Sequence, residues 1–245
     1  MNLLVDCGNS FVKWAQDSDE ELILKNQCHS SSAASLPELW KNYDTPARVL
    51  VANVAGDRVE NKIKKAVNLL WNINVEFVKS SKCCCNLTSS YHIPGQLGVD
   101  RWMAMLSAFK TTPGSVIVVD CGTAVTIDLV NDEGVFIGGA IMPGLNMAFQ
   151  SLRAGTDAVE HINSANNDTR PVAQSTEDGV ATGVLYGLCG GIEKVVREQA
   201  LLVGDTPTVF LTGGDAEALL PYLTMPVVLQ SDLVLQGLQI VASNN

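Results

Sequence analysis

The chain has 245 residues, of which 47% are hydrophobic and 17% charged, and its formal net charge is −10. This apolar composition argues against a disordered chain and is sufficient for a substantial core. The acidic balance argues against nucleic acid as a partner, because its phosphates are bound by clustered Lys and Arg.

The first residues, Met1 to Asp6, lack a basic region followed by a long apolar stretch, so a signal peptide is not expected. No uninterrupted apolar segment reaches the about 18 residues of a membrane span, so no membrane partner is expected. The seven cysteines show no C-x-x-C spacing, and the adjacent Cys83, Cys84 and Cys85 are expected to pack or to lie in a loop. These features predict a cytoplasmic protein with reduced thiols.

The most informative pattern is a weak internal repeat. Val5–Gly8 reads Val-Asp-Cys-Gly, and Val119–Gly122 has the same sequence. Each copy follows an apolar run, precedes a second strand-like run, and leads through an acidic turn to a third run. The shared order predicts two lobes, residues 1–113 and 114–245, each opening with a β-meander.

Alternating helical and strand patterns follow each meander, which predicts an α/β protein with a mixed sheet flanked by helices in each lobe. Further strands are predicted at Val49–Ala52, Asn74–Val78 and Thr208–Thr212. Helices are predicted at Val59–Leu70, Val99–Lys110, Leu145–Leu152, from Ser175 to about Leu202, and at Asp232–Ala242. Residues 153–174 are predicted to form a surface loop or a partner contact.

The loop Asp6–Ser10 is the first candidate site. Its glycine permits backbone angles closed to other residues, so amide N–H groups can point at a phosphate. Its Asn and Ser add donors, Lys13 adds a positive charge, and Asp6 can bind Mg²⁺ directly or through water. An ordinary turn is the alternative interpretation, and the second copy of the loop favours the phosphate site.

The second copy places Asp120 and Thr123 at analogous positions, whereas Ile127 stands where the first copy has Lys13. Two such loops facing each other would clamp a triphosphate and its metal, as phosphoryl transfer requires. The first loop is therefore expected to bind the phosphates of ATP, and the second loop to contact a cation and ATP. The spacing of a P-loop is absent from the sequence.

Two further turns carry candidate chemistry. In Gly98–Arg101, Asp100 can accept a proton from a substrate hydroxyl and Arg101 can bind a carboxylate, with helix capping as the alternative. In Thr212–Asp215, a glycine pair at a strand-to-helix turn admits a base or ribose, and a plain turn is the alternative.

In chain order, the Asp6–Ser10 loop with its following Lys, the Gly-x-Asp-Arg segment, the Asp-x-Gly-Thr loop, Gly138–Leu145 and Ser175-Thr176 resemble the motifs of type III pantothenate kinases. The resemblance spans nearly the whole chain. It implies a two-lobed actin-like (ribonuclease H-like) fold with the active site between the lobes. It also implies ATP-dependent phosphorylation of pantothenate to 4′-phosphopantothenate, the first step of coenzyme A biosynthesis.

The resemblance also implies roles for individual residues. ATP would be bound by Asp6, Cys7, Gly8, Asn9, Ser10, Phe11, Val12, Lys13 and Thr123. Pantothenate would be bound by Tyr91, Gly98, Val99, Asp100, Arg101 and Thr176, with Asp100 as the base for its hydroxyl. Asp120 would hold a monovalent cation, K⁺ or NH₄⁺, beside Mg²⁺-ATP.

The resemblance further implies a homodimer whose pantothenate pocket is completed across the interface. The helix after Thr176 contains five glycines, which predicts close helix packing and a candidate contact surface. A nucleotide-binding accessory module of the same fold without turnover is the alternative function. Retention of Asp100 and Arg101 argues against that alternative.

Overall fold

The computed structural model describes residues 1–18, 21–155 and 170–244. Within these residues the chain forms two mixed sheets with helices packed on them, so the predicted α/β class is confirmed. Both predicted meanders are present, since three consecutive strands open each half of the chain.

The chain divides into two compact units. The first contains Met1–Pro113, Gly134–Ile137 and the segment from Asp232 onwards, and the second contains Gly114–Glu133 and the described part of Gly138–Ser231. These bounds differ from a single division after residue 113. The C-terminal helix belongs to the first unit because it packs closely against the helix that begins at Val99.

The first unit is built on a five-stranded sheet. Its elements are β1 (Leu3–Cys7), β2 (Phe11–Ser18), β3 (Glu21–His29), α1 (Leu36–Trp40), β4 (Val49–Asn53), α2 (Asp57–Trp71), β5 (Val75–Phe77), β6 (Cys83–Cys84), β7 (Leu87–Ser89), α3 (Val99–Thr111) and the C-terminal helix. The strand order is β3-β2-β1-β4-β5, and β1 pairs antiparallel with β2 and parallel with β4.

The core of this sheet follows from the period-2 and period-3.6 patterns of the sequence. Leu3, Val5 and Cys7 alternate along β1 onto one face and are fully buried. Val59 and Ile63, on one face of α2, bury against the same cluster, as their helical spacing predicted.

The second unit begins at β8 (Val116–Cys121) and β9 (Ala124–Val130). Its further elements are β10 (Val135–Pro143), α4 (Leu145–Gly155), α5 (Thr176–Ala200), β11 (Thr208–Thr212), α6 (Ala216–Leu219) and β12 (Val228–Leu229), after which α7 (Leu233–Ser243) returns to the first unit. The strand order is β12-β11-β8-β9-β10. β10 starts in the first unit, where Val135 and Phe136 pair in parallel with β7. Arg153 is helical, and residues 156–169 of the predicted loop lie outside the described residues.

Helix α5 begins at a true N-cap, because the Ser175 hydroxyl accepts a hydrogen bond from the Asp178 amide at 3.1 Å. By length and composition alone, this helix is apolar enough to cross a membrane. Its inward face, which includes Leu188 and Ile192, packs against the sheet core of the second unit. Core helices often have such a composition.

Three of the five glycines of α5 make no close packing contact with the described residues, contrary to the prediction. Added Cβ atoms on Gly183, Gly187 and Gly190 would meet no described atom within 4 Å. At Gly191, by contrast, a Cβ would lie 2.9 Å from the terminal methyl carbon of Met142. Three of these glycines therefore lie on a face that the described residues leave open.

Candidate active site

The loop Asp6–Ser10 joins β1 to β2 in the first unit. The Gly8 amide donates a hydrogen bond to the Phe11 carbonyl at 2.9 Å and closes the turn. Gly8 is not in the left-handed region, so the predicted conformational reason for this glycine is wrong. An added Cβ on Gly8 would lie 3.4 Å from the Phe11 carbonyl oxygen, which is an ordinary van der Waals distance.

Ser30 holds both sides of this turn. Its hydroxyl donates to the Gly8 carbonyl at 2.7 Å, and its amide donates to the Ser10 carbonyl at 2.9 Å. Ser30 is buried, and no sequence motif marks it, because the contact depends on the path of β3. On the neighbouring strand, Lys13 pairs with Asp6 in the antiparallel ladder, which places both side chains on one face.

The Gly98–Arg101 segment has a specific steric requirement. One Asp100 carboxylate oxygen accepts a hydrogen bond from the Arg101 amide at 2.8 Å at the start of α3. A Cβ on Gly98 would lie 2.5 Å from that oxygen, so any larger residue there would displace this carboxylate. Val99 is buried in the core.

Burial raises the pKa of Asp100 above its ordinary value, although the Arg101 amide and the Arg101 charge act in the opposite direction. A raised pKa strengthens a carboxylate as a general base near neutral pH. The site therefore holds a carboxylate that is suited to proton transfer.

An aromatic and cationic cluster adjoins Asp100. The Arg101 side chain is 8% exposed, and its guanidinium donates to the Tyr91 hydroxyl at 3.5 Å. It also lies 6.0 Å from the centre of the Phe136 ring, which is 5.1 Å from the Tyr91 ring. The structure thus brings Tyr91, Asp100 and Arg101 together. It adds Phe136, which sequence reasoning missed because only the pairing of β7 with β10 places it here.

The second Asp-Gly loop, Asp120–Thr123, is enclosed by two other turns of the second unit. The Asp215 amide donates to the Cys121 carbonyl at 2.9 Å, and the Gly144 amide donates to the Thr123 carbonyl at 3.2 Å. Gly213 has φ of 95°, and a Cβ there would lie 2.5 Å from an Asp120 carboxylate oxygen. The turn that contains Gly213 and Gly214 therefore packs directly against Asp120.

This enclosure also affects acid–base behaviour. Burial raises the pKa of Asp215. Burial, together with the nearby Asp120 and Asp215 carboxylates, raises the pKa of the Cys121 thiol, which makes that thiol inert at neutral pH.

The described residues contain no cluster of three or more His, Cys, Asp or Glu side chains that could hold a metal by themselves. Mg²⁺ in kinases is typically bound by one or two carboxylates together with substrate phosphates, so single carboxylates such as Asp6 and Asp120 fit that chemistry. Thr123 and Thr176 are exposed at the starts of β9 and α5. Their predicted contacts, like the predicted ion sites, stay predictions.

A family model described as type III pantothenate kinase matches residues 2–198. Type III pantothenate kinases from Chromobacterium violaceum and Nitrosospira multiformis are 33% and 31% identical to this chain over 244 and 240 residues. These alignments cover 99% and 98% of this chain, and 100% and 90% of the two relatives. The chain belongs to the type III pantothenate kinase family. Membership makes it a kinase, and a kinase uses ATP with a divalent metal.

Solved structures support the same fold. A putative Baf family transcriptional activator from Campylobacter jejuni has a TM-score of 0.61 at 19% identity, covering 99% of this chain and 98% of that one. A glucokinase from an Antarctic psychrotroph has a TM-score of 0.56 at 13% identity, covering 100% and 99%. At such identities the likeness shows the fold alone, and the predicted actin-like fold is confirmed.

Proposed function

We propose that the protein transfers the γ-phosphoryl group of ATP to the primary hydroxyl of pantothenate, which yields ADP and 4′-phosphopantothenate in coenzyme A biosynthesis. Besides family membership, one structural observation supports phosphoryl transfer to a hydroxyl group. The Asp100 carboxylate is held in the gap left by Gly98, beside the buried cation of Arg101, and its pKa is raised. A base next to an anion anchor suits a substrate with a hydroxyl and a carboxylate.

In the proposed reaction, Asp100 accepts the hydroxyl proton as that oxygen attacks the γ-phosphorus. Arg101 binds the pantothenate carboxylate, and Tyr91 orients the guanidinium. Thr176 is a further proposed pantothenate contact. The assignments of Asp100, Arg101 and Tyr91 are supported by their contacts within the first unit.

The proposed nucleotide site uses residues 6–13 for the phosphates and Thr123 as a further ATP contact. Lys13 neutralises phosphate charge from the same sheet face as Asp6, which we assign to Mg²⁺. Asp120 is assigned to a monovalent cation, K⁺ or NH₄⁺. The divalent ion, when bound, neutralises charge on the transferred group, while the protein residues position it.

The proposal includes a homodimer. The second unit exposes Ile141 (64% exposed), Met147 and Tyr186 on β10, α4 and α5, and α5 also carries the open glycines Gly183, Gly187 and Gly190. Exposed apolar groups concentrated on adjacent elements are typical of an interface. Ile141→Glu is expected to shift sedimentation from dimer towards monomer, and an unchanged dimer would contradict this face as the contact.

We also propose a cytoplasmic location. All seven cysteines lie among the described residues, and each is a free thiol. Thiols persist in the reducing cytoplasm, whereas exported proteins tend to oxidise them.

The deciding experiment measures ADP release by the purified protein with pantothenate, Mg²⁺-ATP and K⁺. Asp100→Asn is expected to reduce kcat by about 100-fold or more while ATP still binds, because the general base is lost. Asp57→Asn is the matched control, since Asp57 is an exposed first-turn aspartate of α2 and should leave kcat unchanged.

Two outcomes would contradict the proposal. Near wild-type turnover of Asp100→Asn would remove the base role. ATP binding without pantothenate-dependent ADP release would instead favour a nucleotide-binding module without turnover.

A further inference from the structure

The hairpin of β6 and β7 brings two thiols together outside the proposed active site. Its two-residue turn has φ of 48° at Cys85 and 73° at Asn86, the left-handed pair of a type I′ turn. Adjacent side chains in a strand point to opposite faces, and the left-handed Cys85 interrupts that alternation. The Cys84 and Cys85 sulfurs therefore lie 3.6 Å apart, while the Cys83 sulfur lies 3.7 Å from the Thr88 hydroxyl.

We propose that Cys84 and Cys85 form a dithiol site that captures a trivalent organoarsenical, a thiophilic metalloid ligand. In the reaction, RAs(OH)₂ condenses with the two thiols. Two As–O bonds break, two As–S bonds form, and each thiol proton leaves with a hydroxide as water. Arsenic stays trivalent, so the step needs no oxidant or reductant.

The geometry favours this ligand over a direct disulfide. Adjacent Cα atoms are about 3.8 Å apart across a trans peptide. Ordinary disulfides join Cα atoms about 4.4–6.8 Å apart, so a bond between neighbouring cysteines is strained. An inserted arsenic atom removes that constraint, because the two sulfurs need not touch.

The site also favours a neutral ligand over a metal cation. Burial and the neighbouring Cys85 raise the pKa of the Cys84 thiol to about 11, and metal cations require thiolates. The described residues supply no cluster of three or more His, Cys, Asp or Glu side chains that could hold a metal. Condensation with an arsenical uses protonated thiols and leaves an uncharged product in this half-buried turn.

The turn is linked to the proposed pantothenate site through β7. The Ser89 amide donates to the Lys82 carbonyl at 2.9 Å across the hairpin, and the Ser89 hydroxyl accepts from the Tyr91 amide at 3.2 Å. Tyr91 in turn contacts Arg101. An adduct is therefore expected to raise the KM for pantothenate about threefold or more without changing that for ATP, a consequence that rests on the proposed function.

The test treats the reduced full-length protein with phenylarsine oxide and measures intact mass and free thiols. One arsenical per chain is expected, with the loss of two of the seven thiols. Cys84→Ser and Cys85→Ser should each abolish the adduct, whereas the matched control Cys83→Ser should retain it. Peptide mapping of the wild-type adduct locates the arsenic even if a variant fails to fold.

A stable adduct in either Cys84→Ser or Cys85→Ser would overturn the site, and so would arsenic mapped to Cys28 or any other cysteine. Release by 2,3-dimercaptopropanol but not by excess 2-mercaptoethanol is expected of a two-sulfur adduct, and release by the monothiol would contradict it. Full modification with an unchanged KM for pantothenate would refute the coupling to Tyr91 alone. A failure of the kinase proposal is separate, because the unmodified protein would then show no pantothenate-dependent ADP release.

Discussion

The two Asp-Gly loops share a sequence, yet they are supported in different ways. In the first unit, the turn at Gly8 is held by hydrogen bonds from Ser30, and no neighbouring atom strictly demands its glycine. In the second unit, Asp120 lies against Gly213, whose left-handed backbone and close approach both exclude a side chain. The glycines of the repeated tetrapeptide are themselves alike, since a Cβ on Gly122 would also lie 3.4 Å from its nearest neighbour. The two loops therefore differ in the turns around them.

The difference has a physical cause. The first loop lies in an antiparallel ladder between β1 and β2, with Lys13 directly across from Asp6. Both loops also adjoin a parallel strand, β4 in the first unit and β11 in the second, but only β11 leads directly into a left-handed glycine, Gly213, that lies against the aspartate of the loop. Because parallel strands end at the same edge, their turns crowd one another. Asp100 repeats the second pattern, since its carboxylate also occupies a glycine gap.

The largest expected effect distinguishes Asp6, the proposed Mg²⁺ ligand, from Asp120, the proposed ligand of the monovalent cation. Asp6→Asn should reduce kcat by about 100-fold or more at every K⁺ concentration, because the proposed Mg²⁺ ligand is lost. Asp120→Asn should instead raise the K⁺ concentration needed for half-maximal activity. ADP release titrated with each ion measures both, and identical K⁺ dependence in the two variants would remove the distinction between the loops.

The second test concerns stability. Gly213→Ala forces a left-handed alanine against Asp120 and is expected to cost about 2–4 kcal/mol of unfolding free energy. Gly8→Ala in the first loop should cost less than about 1 kcal/mol, because the φ of Gly8 is unstrained. Urea unfolding measures both values. Equal losses would show that the two glycines are equivalent after all.

Ser30→Ala tests the support of the first loop. Loss of the hydrogen bond to the Gly8 carbonyl is expected to loosen the turn and raise the KM for ATP about fivefold, which corresponds to about 1 kcal/mol. Steady-state kinetics with varied ATP provides the measurement. The neighbouring Ser31→Ala is the control, since the Ser31 hydroxyl contacts His29 instead, and a similar KM change there would discount a specific role for Ser30.

The smallest effect extends the comparison to Asp100. Burial raises the pKa of Asp100 in the folded protein. The folding stability linked to this group is therefore fully present below the ordinary pKa of about 3.9, and it is lost as pH rises through the pKa of the folded state. Asp100→Asn should therefore raise Tm at pH 7 by a few degrees at most, and the difference should shrink towards pH 4. A lower Tm at pH 7 would contradict the destabilising burial of this carboxylate.

Local patterns predicted most of the fold. The meanders, α2, α3 and the start of α5 at Ser175 could be predicted because hydrophobic period and helix-start signals act over a few residues. Helix α1 and the β6–β7 hairpin were missed. The hairpin turn uses Cys85 and Asn86 where Asn-Gly is the usual signal, so its left-handed residues could not be recognised.

The candidate site divides in the same way. Asp100 and Arg101 were proposed from their order along the chain, whereas Phe136 and Ser30 reach their partners only through strand pairing. The structure gives a steric reason for glycine at position 98 of the Gly98–Arg101 motif, which the sequence alone did not provide. The Asp100 carboxylate lies over the start of α3, in the space that a side chain on Gly98 would occupy.

By itself, the sequence determined the α/β class, the two meanders, the Asp-Gly repeat and membership of a kinase family, because these depend on local periodicity and on ordered motifs. The tertiary structure alone decided that α7 joins the first unit and that Ser30 supports the first loop. It also decided that Gly213, rather than Gly122, is the strained glycine beside Asp120. The reason is steric, since contacts between residues far apart in the chain depend on which strands become neighbours.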